Sequence, residues 1–127
     1  MKRILWLFLP IIYIACSNEF EDQLRGQWQL QSIVMNGKDS LPEIPSYYCF
    51  QNSVFQIKDK SGMAFGRYYK KDDSLCIIFE DSLQAEALLN MKYTDWKSAY
   101  RSFYISEQTP KHISLKDKNK TLNFRYY

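Results

Sequence analysis

Leu24-Arg25-Gly26-Gln27-Trp28-Gln29-Leu30-Gln31-Ser32-Ile33-Val34 sets Trp28, Leu30 and Val34 on one side of an extended chain and Gln27, Gln29 and Gln31 on the other. Alternation with a period of two marks a strand with one buried and one wetted face. Asn36-Gly37 follows, a dipeptide that accepts the positive φ angles of a tight turn. Outward from this strand the pattern recurs. Tyr47 to Lys58 reads as a second long strand, Gly62 to Lys70 as a third and Leu75 to Glu80 as a fourth. Asp59-Lys60-Ser61-Gly62 and Lys71-Asp72-Asp73-Ser74 between them are short enough for hairpins. Leu41 to Pro45 is a loop, because Pro42 and Pro45 each remove a ladder donor. Gly66 inside the third strand marks a bulge or a bend.

Asp81 to Asn90 changes character. Asp81 or Ser82 can cap a helix, Gln84 stands at capping-box distance from Asp81, and Ala, Glu and Leu favour helix. Strand signals return in Ala99 to Ser106, His112 to Lys116 and Thr121 to Tyr127. Ten Tyr, eight Phe and three Trp suit the pleated, half-buried surfaces these strands require. Many short antiparallel strands imply a sandwich or a barrel, and only a barrel leaves no strand edge open. The expected fold is all-β: an antiparallel up-and-down barrel of about eight strands with one short helix.

The chain opens on an address. Lys2-Arg3, the apolar run from Ile4 to Ile14 and small Ala15 supply the three regions of a secretory signal in order. The run falls short of the roughly 20 apolar residues that span a bilayer, and Pro10 interrupts it. Tyr13-Ile14-Ala15-Cys16 resembles the bacterial lipobox, which implies cleavage before Cys16 and acylation of that cysteine. Residues 1–15 are thus expected as signal peptide, 16–22 as lipidated Cys and tether, and 23–127 as one barrel domain. The expected place is the bacterial cell envelope, anchored by lipid to the outer membrane. Glu19-Phe20-Glu21-Asp22 resembles an acidic surface-export signal, so the periplasmic face and the cell surface both stay open. Without Lys2 and Arg3, the 17 basic residues fall to 15 against 14 acidic ones. With Lys and Arg scattered among Asp and Glu, nucleic acid is not an expected partner.

Gly26 and Trp28 on the first strand, with Thr121-Leu122-Asn123-Phe124-Arg125 on the last, resemble the small lipocalin-like domains of bacterial lipoproteins. In lipocalins a Gly-x-Trp motif opens the first strand and a basic residue near the chain's end packs over the indole. The resemblance assigns those structural roles to Gly26, Trp28 and Arg125. Thr94-Asp95-Trp96 is similar to the Thr-Asp-Tyr of classical lipocalins. The likeness covers Leu24 to Tyr127, in a chain shorter than those proteins. A barrel of this size is filled by its own side chains or holds one small ligand.

Chemistry is sparse. His112 is the only histidine, and it reads as a rim or surface residue rather than a general base. Once Cys16 is lipidated, Cys49, Cys76 and His112 are too few for a usual zinc site. Asp72-Asp73 and Glu80-Asp81 fall at turns, where carboxylates stay solvated. No enzyme activity, cofactor or metal is expected. Cys49 and Cys76 are expected as free thiols, because strands flanking the third one lie about 9.6 Å apart, beyond a disulfide's reach. Phe55, Phe65, Ile78 and Phe103 are the candidates for an apolar lining. The functional expectation is a membrane-anchored lipocalin-like lipoprotein that binds a small apolar or amphipathic ligand. Its alternative is an accessory lipoprotein that contacts another envelope protein and has no ligand cavity.

Overall fold

A computed structural model describes residues 23–127; Cys16 and the segments expected as signal peptide and tether, through residue 22, lie outside the described residues. Among the described residues the strands are β1 (Gly26–Met35), β2 (Lys38–Ser40), β3 (Ser46–Gln51), β4 (Val54–Asp59), β5 (Gly62–Lys71), β6 (Ser74–Ile78), β7 (Tyr100–Gln108), β8 (His112–Asp117) and β9 (Lys120–Tyr126), and the helix α1 (Ser82–Asn90) lies between β6 and β7. β1 pairs antiparallel with β3, each strand from β3 to β8 pairs antiparallel with the next, and β9 returns to β1. Short β2 adds only a three-residue pairing to the far half of β1. Eight staves therefore close an antiparallel barrel, as the sequence leads one to expect.

Local chemistry explains the departures. In β1 the register against β9 steps from Leu30↔Phe124 to Ser32↔Asn123, so Gln31 is an extra, bulged residue. A bulge inverts the inward phase beyond it. Trp28 and Leu30 are buried as expected, but Ile33 rather than Val34 packs on the core. The run from Tyr47 to Lys58 is not one strand. Asn52 at φ 50° and Ser53 at φ 67° make a two-residue turn of left-handed geometry that folds β4 back on β3. Asn36 and Gly37 turn in the same way at φ 54° and 79°.

Helix α1 begins where Asp81 caps it, the Leu83 N–H donating 2.8 Å to Asp81 Oδ1. Gln84 closes no capping box. Its Oε1 accepts the Phe65 N–H at 2.8 Å, because β6 pairs only with the Arg67–Lys71 half of β5. The helix side chain thus serves a strand edge that has no neighbouring strand. Gly66 makes no bulge either: β5 pairs with β4 without interruption. A Cβ there would lie 2.7 Å from the Ile78 carbonyl oxygen and about as close to the Phe79 ring, so the glycine permits a close crossing.

The core lies inside the barrel. Buried side chains on every long strand meet at its axis, joined from outside the strands by Leu24, Phe79, Leu88, Met91 and Trp96.

Candidate functional site

A small barrel offers three places for function: its interior, its two mouths and its outer wall. The interior is occupied by rings. Tyr48 packs on Phe55 at 5.1 Å between centroids and on Phe124 at 4.5 Å, and Phe50 lies 5.1 Å from Phe55 and 5.0 Å from Tyr68. Phe79 and Trp96 meet at 5.5 Å, and Trp96 reaches Phe103 at 6.2 Å. Most of these pairs are edge-on, the arrangement that the ring quadrupole favours.

This packing decides the four lining candidates. Phe55 and Phe103 do point inward, but both are buried against other rings. Phe65 and Ile78 point outward, contrary to expectation. In β5 the inward positions are Ala64 and Tyr68, and in β6 they are Leu75 and Ile77, so alternation sends Phe65 and Ile78 to the wall.

At the mouth where β1 begins, the Trp28 indole N–H donates 2.8 Å to the Leu24 carbonyl, and Trp28 is buried. The ring against its indole is Tyr126, edge-on at 5.2 Å. Gly26 sits at φ +121°, and a Cβ there would fall 2.5 Å from that tyrosine ring. The glycine of Gly-x-Trp is thus required twice, by backbone angle and by space. Arg125 does not cover the indole. It follows inward-facing Phe124, so alternation turns it to solvent opposite Gln29 and His112.

A buried cation does cover an indole, at the other mouth. After α1 the chain crosses that opening from Met91 to Ala99 without regular structure and inserts Trp96, whose Nε1–H donates 2.7 Å to the Tyr48 hydroxyl. Burial pushes the Tyr48 phenol far above its ordinary range, an effect the Asp95 carboxylate reinforces. The Arg101 guanidinium lies 5.2 Å from the Trp96 ring and 4.6 Å from Phe103. It donates to both Asp95 oxygens, at 2.8 and 2.9 Å, and to Asp117 at 2.8 Å. Lys120 Nζ adds a 3.1 Å bond to Asp95. Burial alone would raise the Asp95 carboxyl, but hydrogen bonds and charge from Arg101 and Lys120 outweigh it and hold it below the usual carboxylate range. Thr94 joins in by accepting the Trp96 N–H at 3.3 Å. Thr94-Asp95-Trp96 is therefore the clasp of this mouth.

The remaining chemistry is dispersed. Cys49 and Cys76 are free thiols, and two strands, β4 and β5, separate them rather than one. Cys49 Sγ lies 3.7 Å from Gln27 Oε1, and Cys76 Sγ lies 3.9 Å from Ser102 Oγ. His112 is exposed. Asp72 and Asp73 occupy an exposed turn, Glu80 pairs with Arg67 at 3.1 Å, and Asp81 is the helix cap. Among the described residues no three His, Cys, Asp or Glu side chains converge on a point that could hold a metal.

A closed eight-stranded antiparallel barrel, plugged near its start by the tryptophan of a Gly-x-Trp motif, defines the lipocalin class of architecture. A family model described as a lipocalin-like domain matches residues 11–127, and the chain belongs to that family. The crystal structure of a lipocalin-like protein from Bacteroides uniformis superposes with a TM-score of 0.70 at 21% identity, covering 83% of this chain and 99% of that one. An uncharacterized protein from Bacteroides eggerthii gives a TM-score of 0.65 at 27% identity, covering 82% of this chain and 99% of that one. Comparison with curated proteins gives no match.

Proposed function

We propose that this is a lipid-anchored protein of the bacterial outer membrane, not an enzyme, that acts through the outside of its barrel on another component of the envelope. One observation carries the reading: the rings of Tyr48, Phe50, Phe55, Trp96, Phe103 and Phe124 are buried and pack on one another inside the barrel, where a carried ligand would sit. Proteins that carry ligands bury most of the guest in a cavity of hundreds of Å³. A core of touching aromatics instead gives a stiff body whose wall keeps its shape. The anchor is argued from Cys16, which follows Ala15 at the end of the apolar leader. Each buried CH₂ of an acyl chain contributes about 0.8 kcal/mol, so two or more chains would hold the domain at the membrane surface.

Two measurements test the proposal. Labelled fatty acid should enter the wild-type protein and not Cys16→Ala, and the variant should leave the membrane fraction; equal labelling of the two would overturn the anchor. Native mass spectrometry of protein taken from its own membrane should give the acylated mass alone. A stoichiometric apolar adduct would restore the ligand-carrier reading.

A further inference from the structure

Across the outer faces of β1, β3, β4 and β5, beside the mouth where β1 begins, runs a groove of about 550 Å³. Its lining carries no charge. Four amides, Gln27, Gln51, Asn52 and Gln56, stand around Val54 and Phe65, both substantially exposed. About a quarter of the chain is Asp, Glu, Lys or Arg, and the groove across the opposite mouth is lined by Asp95, Arg101, Asp117 and Lys120. The amide groove is set apart by its neutrality. Arg67, the register partner of Val54, is not part of the lining and pairs at the surface with Glu80 at 3.1 Å.

We infer that this groove is a binding site for a neutral oligosaccharide. The inference rests on the surface-acting reading above and names the chemistry of the partner. An amide side chain both donates and accepts, which matches hydroxyl groups that do the same. Cys49 approaches only the Gln27 oxygen, at 3.7 Å, and Met63 Sδ only the Gln56 nitrogen, at 3.4 Å. Among the described residues, the Gln27 amine, the Gln56 oxygen and the Gln51 and Asn52 amides are left for a guest. Phe65 supplies the flat apolar surface on which the C–H face of a pyranose can rest. An ionised guest would meet no charged side chain in the lining itself, Lys58 acting on Cys49 from beyond it, so the lining favours a neutral guest. A peptide adding itself as a strand is disfavoured as well. Gly26 pairs with Phe50, Gln51 with Val54 and Val54 with Arg67, and on the edge of β5 that lacks a neighbouring strand the Phe65 N–H is already taken by Gln84 Oε1 at 2.8 Å.

The test uses the full lipidated protein in an amine-oxide detergent, since sugar-based detergents would compete. Calorimetric titration with maltohexaose, cellohexaose, xylohexaose and mannohexaose should find at least one that binds in the range of about 10 μM to 1 mM. Phe65→Ala should weaken that binding at least about tenfold and Gln56→Glu at least about fivefold, with Tyr104→Ala on the far wall unchanged. Phe65 is 43% exposed, so the variant should keep its melting temperature and report on binding alone. The assignment is overturned if none of the four binds at about 10 mM, if binding ignores Phe65→Ala, or if only a polyuronate or a peptide binds. Loss of sugar binding with membrane fractionation intact would remove this inference and leave the anchored, surface-acting reading standing.

Discussion

Arg101 and Asp95 face each other through two parallel N–H···O bonds of 2.8 and 2.9 Å, joining the irregular crossing from Met91 to Ala99 to the start of β7. The pair fixes more than charge. With Arg101 9% exposed and Asp95 18% exposed, it holds Trp96 beneath the guanidinium and so keeps the mouth shut. Removing one partner strands the other in a poorly solvated site. Arg101→Ala should cost about 3 kcal/mol or more in a urea melt, and Arg101→Lys should recover little of it, because an ammonium cannot make the planar two-point contact.

The same pair predicts an acid dependence. The Asp95 carboxyl is held below its ordinary value of 3.8 in the folded protein, so the unfolded chain takes up a proton first as pH falls. Its contribution to stability is complete well above about pH 4 and is lost as pH drops through the depressed folded value. Wild type should therefore lose stability steeply below about pH 4. Asp95→Asn should start less stable at neutral pH and show a flatter acid limb. Parallel limbs for the two proteins would mean that other carboxylates set the slope.

At the opposite mouth, Gly26→Ala should destabilise by about 1–3 kcal/mol, because the alanine meets both the positive φ and the Tyr126 ring. Trp28→Ala should cost about 3–5 kcal/mol, the range for large aromatics removed from a core. Arg125→Ala should stay within about 0.5 kcal/mol, as an exposed residue away from the indole. Denaturant midpoints of the three variants check the ranking, and a large loss for Arg125→Ala would return that residue to the indole.

Most strands were legible in the sequence because their inward residues are apolar and alternate. Where legibility failed, the backbone changed phase without a marker. Gln31 is a polar residue among polar outward neighbours, so its bulge leaves the apolar count of β1 intact while exchanging Ile33 for Val34. Asn52-Ser53 turns the chain with neither Gly nor Pro, and Phe50 and Phe55 on either side look like one continuing strand. Arg125 was misplaced although the signal was available: Leu122 and Phe124 point inward, so the residue after them points out. Arg101 shares its face with Phe103, which should mark it as an inward cation in need of a carboxylate, and Asp95 stands in the very tripeptide that attracts attention. The candidate lining was half legible for the same reason. Phe55 and Phe103 are in phase with their strands' cores, while Phe65 and Ile78 are one residue out of it.

Both thiols should alkylate under denaturing, non-reducing conditions, since neither cysteine is bridged. In the folded protein Cys49 should react first. It is half-buried and Cys76 is only 2% exposed. Burial also pushes the Cys49 thiol up, against a smaller opposing effect of Lys58, so even this reaction should be slower than that of a free thiol. Timed alkylation followed by peptide mass mapping separates the two sites, and a linked Cys49–Cys76 peptide would contradict the strand order.

Trp96 allows the filled interior itself to be tested. Trp96→Ala should cost about 3–5 kcal/mol and leave a cavity walled by Tyr48, Phe55, Phe79 and Phe103, the rings that Trp96 touches. Indole has the shape of the missing side chain, and its N–H can donate to the Tyr48 hydroxyl as Trp96 does at 2.7 Å. A ligand that binds only the folded state stabilises it by RT ln(1 + [L]/Kd), about 1.4 kcal/mol at roughly tenfold excess over Kd. Millimolar indole should therefore raise the melting temperature of Trp96→Ala by several degrees, and naphthalene, which lacks the donor, by less. Wild type should not respond to either, because its own side chain fills the site. An equal rise in wild type would show that the barrel already accommodates a flat aromatic guest beside Trp96, and the argument from a filled interior would fail.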